Sequence, residues 1–360
     1  MDYYLAQQSI EDVILEAEKK IDGEIGEVFI ALTGSHIDSR TVRVKTTIEN
    51  EELLVSHESL EELRELAQGT VLPADQMVVH ELLQHYYLDN GQATTQPLGS
   101  SSQSLEASYH IIHGMQTRLE TSARCVAELG VAVQGCALAS YATAQAVLTQ
   151  EYKELGSVVI DLGAGVTDYI VYYNGAVVHT GVIAVGGDHM TQDIALGLKL
   201  SFNRAEQLKS KHGLLYHQLQ SGQETVLLER SLNEDERTIY LQSLAQIMMA
   251  RQKETLDLIR EDLERNDLWP SISGKVFLTG GASKVRGLQR LASQVFPAPV
   301  QIAHELTFEG DQTYSKRPDL STVLGLLRYA QHVRLAAPRP KGWRKVKESF
   351  RDLLGAVRLF

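Results

Sequence analysis

The chain is poor in cysteine. Cys125 and Cys136 are its two cysteines in 360 residues, with no Cys-x-x-Cys spacing and no histidine cluster beside them. That excludes a disulfide framework and a cysteine zinc site, and reads both as reduced, buried thiols. No apolar run approaches the length of a membrane span and no leader-like segment opens the chain, so a cytoplasmic, non-spanning protein is expected. Basic residues are outnumbered, 34 Lys and Arg against 46 Asp and Glu, and the net charge of -12 argues against a nucleic-acid-binding body. What is present is enough apolar material, 43% of 360 residues, for two or more domains with real cores.

Three short glycine-bearing segments carry the most information. Asp161 to Asp168 (DLGAGVTD) lies between two runs of β-formers, Ser157 to Ile160 and Tyr169 to Tyr173, and reads as a tight turn. Gly163 and Gly165, lacking Cβ atoms, would let main-chain N–H groups approach an anion, with Ala164 and Thr167 in the same loop. Asp161, at a strand end, is a candidate to hold a hydrated magnesium ion. Asn174-Gly175 then reads as a second hairpin turn.

Gly186-Gly187 ends an apolar strand and opens a helix expected over 188–198, with Asp188 as its N-cap and its N-terminus as a second anion site. Thr279 to Ser283, after the buried-strand pattern Lys275 to Leu278, delivers Gly280, Gly281, Ala282 and Ser283 into a helix expected from Lys284. Such a strand, double glycine and helix start suit a flat purine ring. Between them, Glu206 and Lys209 share one face of a polar helix. Each motif alone has a plain reading: a glycine turn, or a surface ion pair.

Taken in order, these segments resemble the actin, sugar-kinase and heat-shock-chaperone superfamily, and within it the bacterial cell-division family FtsA. The similarity extends upstream through the helix at Ser9 to Glu18, the stretch Val28 to Ile37 and Leu105 to Ile112, and so covers nearly the whole chain. It implies an α/β, actin-like (ribonuclease H-like) fold of two lobes with an inserted small α+β subdomain. It also implies that 161–168 is the second phosphate loop, that Gly186 and Gly187 form the phosphate-side helix start, that Glu206 and Lys209 contact ribose and purine, and that Gly280 to Ser283 form the adenosine motif. The implied cofactors are ATP and Mg2+. The implied partners are the tubulin-like ring protein FtsZ, on the subdomain 187–274, and further copies of the chain in a filament.

One departure from the family is large. The first phosphate loop, an Asp-x-Gly-x-Thr/Ser turn after an N-terminal strand, has no counterpart here. The opening runs into a helix expected at Ser9 to Lys20 with Ile10, Val13, Ile14, Ala17 and Ile21 on one face. The first lobe is therefore expected to be incomplete at its N-terminus, either because the sequence is a fragment or misassigned start or because the protein is a short form. Half a cleft would weaken ATP binding and leave at most a weak ATPase. The expected organisation is 1–27, 106–155 and 311–335 in the first lobe, 28–105 as the filament-contact insert, 156–186 and 275–310 as the second-lobe core, and 187–274 as its small subdomain. Gln92 to Gln103 reads as a mobile loop, and Arg237 to Arg265 as one core helix.

The C-terminus departs from the acidic average. A Pro/Gly linker at 336–342 precedes a segment in which Trp343, Val346, Phe350, Leu353, Leu354, Val357 and Phe360 recur at helical steps. From Arg339 on, seven basic residues, among them Arg344, Lys345, Lys347 and Arg351, stand against Glu348 and Asp352, a net of +5. A basic amphipathic helix of this kind lies on an anionic membrane surface. A helix docked on the protein's own core and a partner-protein groove are the alternatives. The segment is similar in position and chemistry to the membrane-targeting helix of the FtsA family, which would localise the protein peripherally at the division site, on the cytoplasmic face of the membrane.

Two other functions fit parts of the sequence: a PilM-like pilus-assembly protein, which needs no lipid helix, and a degenerate actin-fold kinase. Ser140, Thr143 and Gln145 are candidates to position water only by location.

Overall fold

A computed structural model describes residues 3–50, 52–215, 224–228, 230, 236–303 and 313–336. Of the linker expected at 336–342, Ala336 ends the last described helix; residues 337–342 and the amphipathic segment 343–360, with its membrane residues, lie outside the described residues. The chain forms two compact units, one comprising Met1–Ala146, Ile170–Gly181 and the chain from Thr322, the other Val147–Tyr169 and Val182–Ser321.

The first unit opens with α1 (Tyr3–Ile21), longer than the expected helix. Its periodic apolar positions do not enter a core: none of its residues is buried, and Val13 is 67% exposed. Next, β1 (Glu27–Leu32) leads to β2 (Ile37–Thr47), α2 (His57–Gln68), β3 (Gln76–Leu88), β4 (Ala93–Thr94) and β5 (Ser104–Met115). After these come α3 (Gln116–Ala127), β6 (Ala132–Leu138) and α4 (Ala139–Val147).

Strands β2, β5, β3 and β4 form an antiparallel sheet in the order β2-β5-β3-β4. Ser56 caps α2 by accepting the Ser59 N–H at 3.3 Å. The helix then lays Leu63 and Ala67 on the sheet against Tyr86, Leu105, Tyr109 and Ile111. Burying Leu63 fully stabilises this layer by about 2 kcal/mol.

The insert boundaries differ from the expected 28–105. Strand β1 pairs in parallel with β6, Leu32 opposite Leu138, whereas β5, beyond residue 105, lies inside the four-stranded sheet. The segment expected as a mobile loop is tied down: Val55 donates to the Ser100 carbonyl at 2.9 Å, Gly99 donates to the Val55 carbonyl at 2.9 Å, and buried Ser102 donates to the Ser104 carbonyl at 2.7 Å.

After α4 the chain continues with α5 (Gln150–Leu155), β7 (Ser157–Leu162), β8 (Thr167–Tyr173), β9 (Ala176–Ile183), α6 (Gly187–Leu198) and α7 (Phe202–His212); most of β8 and β9, Ile170–Gly181, is counted in the first unit and the other elements in the second. Further on are β10 (Thr225–Leu228), β11 (Arg237–Tyr240), α8 (Leu241–Arg265), β12 (Val276–Thr279), α9 (Leu288–Val295) and β13 (Val300–Ile302). The sheet order is β13-β12-β7-β8-β9, with β12 parallel to both β13 and β7. The Asn174-Gly175 turn takes positive φ at both residues, 50° and 78°, as a tight hairpin of matching twist requires.

The helix expected over 237–265 begins four residues later. Arg237 to Tyr240 instead pairs with β10, because Thr238, Ile239 and Tyr240 are strand formers with a partner across the ladder. Within α8, Leu244, Met248, Leu256, Ile259 and Leu263 are buried, as the helical spacing implies.

The chain returns to the first unit with α10 (Ser321–Ala336). It packs on α4 with almost no side-chain spacer: a Cβ at Gly325 would overlap the Ala142 carbonyl. Thr143 and Thr322 share a hydroxyl hydrogen bond at 2.9 Å, and Arg328 donates to the Gln145 carbonyl at 2.9 Å. Both cysteines are free and buried; burial pushes the Cys136 thiol up to about 12.

Candidate functional site

The end of β7, all of it buried, sets up the site. Its turn closes when the Gly163 N–H donates to the Val166 carbonyl at 3.1 Å. A Cβ at Gly163 would stand 2.8 Å from that same carbonyl, whereas one at Gly165 would meet nothing. Glycine is therefore required at 163 by the turn itself.

The α6 N-terminus is stitched to this turn. Gly187 donates to the Gly163 carbonyl at 2.9 Å and Asp188 to the Ala164 carbonyl at 2.8 Å. Those two donors, expected to face an anion, are consumed in holding the loop. The N–H groups of Ala164 and Gly165 have no main-chain acceptor among the described residues. Gly186, not Asp188, occupies the N-cap position, and its N–H is received by His189 Nδ1 at 3.1 Å.

Glu206 and Lys209 do more than pair on a surface. Lys209 Nζ donates to Glu206 Oε2 at 2.7 Å, to Thr191 Oγ1 at 2.7 Å and to the Gly187 carbonyl at 3.0 Å. Thr191, which no sequence motif singled out, also lies 2.5 Å from Glu206 Oε2. Its position four residues after Gly187, one helical turn along α6, is the signal that could have found it. Burial opposes ionisation of Glu206, but the hydrogen bonds from Lys209, Thr191 and Ser210 hold its carboxyl below the ordinary range.

The third glycine segment closes the site from β12. Gly280 has φ 85° and ψ 172°, a region open essentially to glycine, and a Cβ there would overlap the Asp161 carboxylate. Gly281 to Lys284 forms a single 3₁₀ turn rather than the start of the expected helix, and α9 begins only after Gly287, at φ 89°. Ser283 is buried and donates to the Gly280 carbonyl at 2.7 Å, which fixes the turn.

Together these segments border one cavity of about 560 Å³, lined by Gly163, Ala164, Gly187, Glu206, Lys209, Gly281 and Ala282 among others. Of the sequence candidates, Asp161, Gly165, Thr167, Gly186, Gly280 and Ser283 are off its wall. Thr167 donates its hydroxyl to the Val185 carbonyl at 2.8 Å, and Asp161 lies against Gly280. Thr143 and Gln145 hydrogen-bond to Thr322 and Tyr172 in the first unit, and Ser140 is buried there.

Lys209, Lys211, Lys284 and Arg286 stand on the wall against Asp188 and Glu206, a local excess of positive charge in an acidic chain. Lys284 is anchored by Asp319 at 2.6 Å, whose carboxyl Arg317 and Lys284 hold well below the usual range. The volume, the side-chain-free glycine surfaces and the cations fit a phosphorylated nucleoside. They do not make a metal cage: among the described residues no cluster of three metal-ligating side chains occurs, and Asp161 is not reached from this cavity.

Solved structures with a similar fold include the PilM-PilN type IV pilus biogenesis complex, with a TM-score of 0.59 at 17% identity, covering 90% of this chain and 84% of that one. MreB 5 of Spiroplasma citri bound to AMPPNP aligns with a TM-score of 0.50 at 20% identity, covering 61% and 66%. The fold is that of the actin-like ATPases. The profile "Cell division protein FtsA" matches residues 158–325, and "SHS2 domain inserted in FTSA" matches 34–113. Cell division protein FtsA of Pseudomonas aeruginosa is 33% identical over 322 residues, 89% of this chain and 77% of that protein. Its Escherichia coli K12 counterpart is 29% identical over 333 residues, 91% and 79%. The chain belongs to the FtsA family of cell-division proteins.

Proposed function

We propose that this protein is a peripheral division scaffold that binds ATP in the cavity of the second unit, polymerises with nucleotide bound, and ties FtsZ to the cytoplasmic face of the membrane. The nucleotide part is carried by the meeting of three glycine turns at one cation-rich cavity braced by the Lys209–Thr191–Glu206 network. Gly281 and Ala282 would floor the base, Glu206 and Lys209 would hold the sugar end, and the 163–165 turn would receive phosphate. Bound nucleotide would supply the phosphates on which magnesium depends, since that ion retains its waters and leans on phosphate oxygens.

The tether is the basic stripe from Trp343 to Phe360. Partial burial of its apolar side chains and attraction of its cations to anionic lipid give reversible binding for one copy. Polymerisation would convert many weak anchors into firm attachment.

Two measurements test the reading. Equilibrium binding of ATP with magnesium should saturate at one nucleotide per chain; no binding at millimolar ATP removes the nucleotide role. Co-sedimentation with anionic vesicles should be lost on deleting 343–360, and unchanged sedimentation removes the tether.

A further inference from the structure

The cations on the cavity wall are of two kinds. The Lys209 ammonium has three N–H bonds, and each ends on a protein oxygen: Glu206 Oε2 at 2.7 Å, Thr191 Oγ1 at 2.7 Å and the Gly187 carbonyl at 3.0 Å. Its part in holding a sugar is therefore to aim Glu206. Lys284 is engaged by Asp319 at 2.6 Å. Lys211 and Arg286 line the same cavity, and among the described residues neither side chain has a hydrogen-bond or ion-pair partner. These two are the cations left to meet a ligand.

Both stand at one end of the cavity. Leu215 donates to the Arg286 carbonyl at 3.0 Å and Leu214 forms a parallel bridge with Arg286, so the chain leaving α7 runs alongside 284–286. Arg286 closely follows the Gly281–Lys284 turn, whose Gly281 and Ala282 form the proposed floor of the base. Acceptors are few here. The carboxylates on the wall are Asp188, in the first turn of α6 beside the phosphate-side loop, and Glu206, which already receives Lys209, Thr191 and Ser210. The main-chain carbonyls of Lys209, Ala282 and Arg286 receive the N–H groups of Gly213, Val285 and Leu215. A base held at this end faces donors.

The purines differ in what they offer to donors. Guanine presents two adjacent acceptors, O6 and N7, spaced for the paired N–H groups of a guanidinium fork, whereas adenine sets a donor, its 6-amino group, beside N7. Against Arg286 that amino group would meet another donor, leaving both unpaired in a desolvated site. We infer that Arg286, with Lys211 at the same end, reads the base by its accepting edge, so that the cavity takes guanine nucleotides as well as ATP and holds GTP at least fivefold more tightly. Fivefold is the lower end of what one bidentate pair discriminates. The inference rests on the reading of this cavity as a nucleotide site.

Calorimetric titration of the full chain with magnesium and ATP, GTP, inosine triphosphate or inorganic tripolyphosphate tests it. Inosine triphosphate keeps O6 and N7 but lacks the 2-amino group, so it should bind like GTP, and both at least fivefold more tightly than ATP. Arg286→Met should abolish the difference. Arg286→Gln, whose amide matches the adenine N6 and N7 pair, should turn the preference toward ATP. Tripolyphosphate, which has no base, should bind wild type and both variants within twofold of one another. ATP binding as tightly as GTP, inosine triphosphate behaving like ATP, or a guanine preference that survives Arg286→Met overturns the inference and leaves the nucleotide reading standing. No binding of any nucleoside triphosphate at millimolar concentration removes both. The wild-type series decides even if a variant fails to fold, which thermal melting reports.

Discussion

The Lys209 ammonium donates to the main-chain carbonyl of Gly187 at 3.0 Å, so that a side chain of α7 grips the first turn of α6 directly beside the cavity. Removing it should loosen that turn and strip a cation from the wall. Lys209→Met is expected to weaken ATP binding at least tenfold, the loss of about one charge-assisted hydrogen bond. Glu206→Gln should couple with it in a double-mutant cycle read by calorimetry; simple additivity would contradict the shared network.

Two glycines of the site should behave oppositely. Gly280→Ala forces a Cβ into the Asp161 carboxylate at a backbone conformation reserved for glycine and should cost about 3 kcal/mol in denaturant unfolding. Gly165→Ala places its methyl in open space and should change stability by less than about 0.5 kcal/mol. Any large effect of Gly165→Ala would then have to appear in nucleotide affinity.

Gly325→Ala tests the helix crossing of the first unit. Both obstructing atoms belong to the α4 backbone and cannot rotate away, so a destabilisation of at least about 2 kcal/mol is expected by chemical denaturation. A neutral result would mean that α4 and α10 are not in close contact.

Acid should weaken the first unit through buried histidine. His80 receives the Leu138 N–H on Nε2 at 2.9 Å, and burial depresses its pKa to about 4. His110 is likewise depressed by burial, to about 3. A depressed folded pKa means that the folded state prefers the neutral ring. The stabilisation is therefore complete above pH 6.5, the ordinary histidine value, and is lost as pH falls toward 4. His80→Gln retains an acceptor without the titration. It should flatten the decline in unfolding free energy between pH 6.5 and 4, and an unaltered slope would exclude His80 as its source.

Much of the chain from Ser157 to Arg265 was legible in the residues themselves. The turns at 161–168 and 174–175, the α6 helix and the buried face of α8 follow from period and glycine placement. Less legible was what depended on distant partners. Tyr240 continues a helical pattern locally but sits in a ladder with Thr225, which no window around it reveals. Asp188 has the composition of a cap, yet its N–H is taken by Ala164 across the loop. The helix expected at Lys284 failed because Val285 to Gly287 breaks it before α9. Thr191 and His80 carried no motif; only folding gives them roles, one between a lysine and a glutamate, the other beneath a strand end. The strip of apolar residues on α1 was visible, but periodicity cannot tell a buried face from one left open.

The two main-chain clips from Gly187 to Gly163 and from Asp188 to Ala164 make the loop and the helix behind it a single stiff part. That part extends to α8, because Arg251 grasps Asp193 of α6 with two hydrogen bonds, Nε to Oδ2 at 2.5 Å and Nη2 to Oδ1 at 3.0 Å. The phosphate-side turn is thereby braced against α8 near the middle of that 25-residue helix, at Arg251.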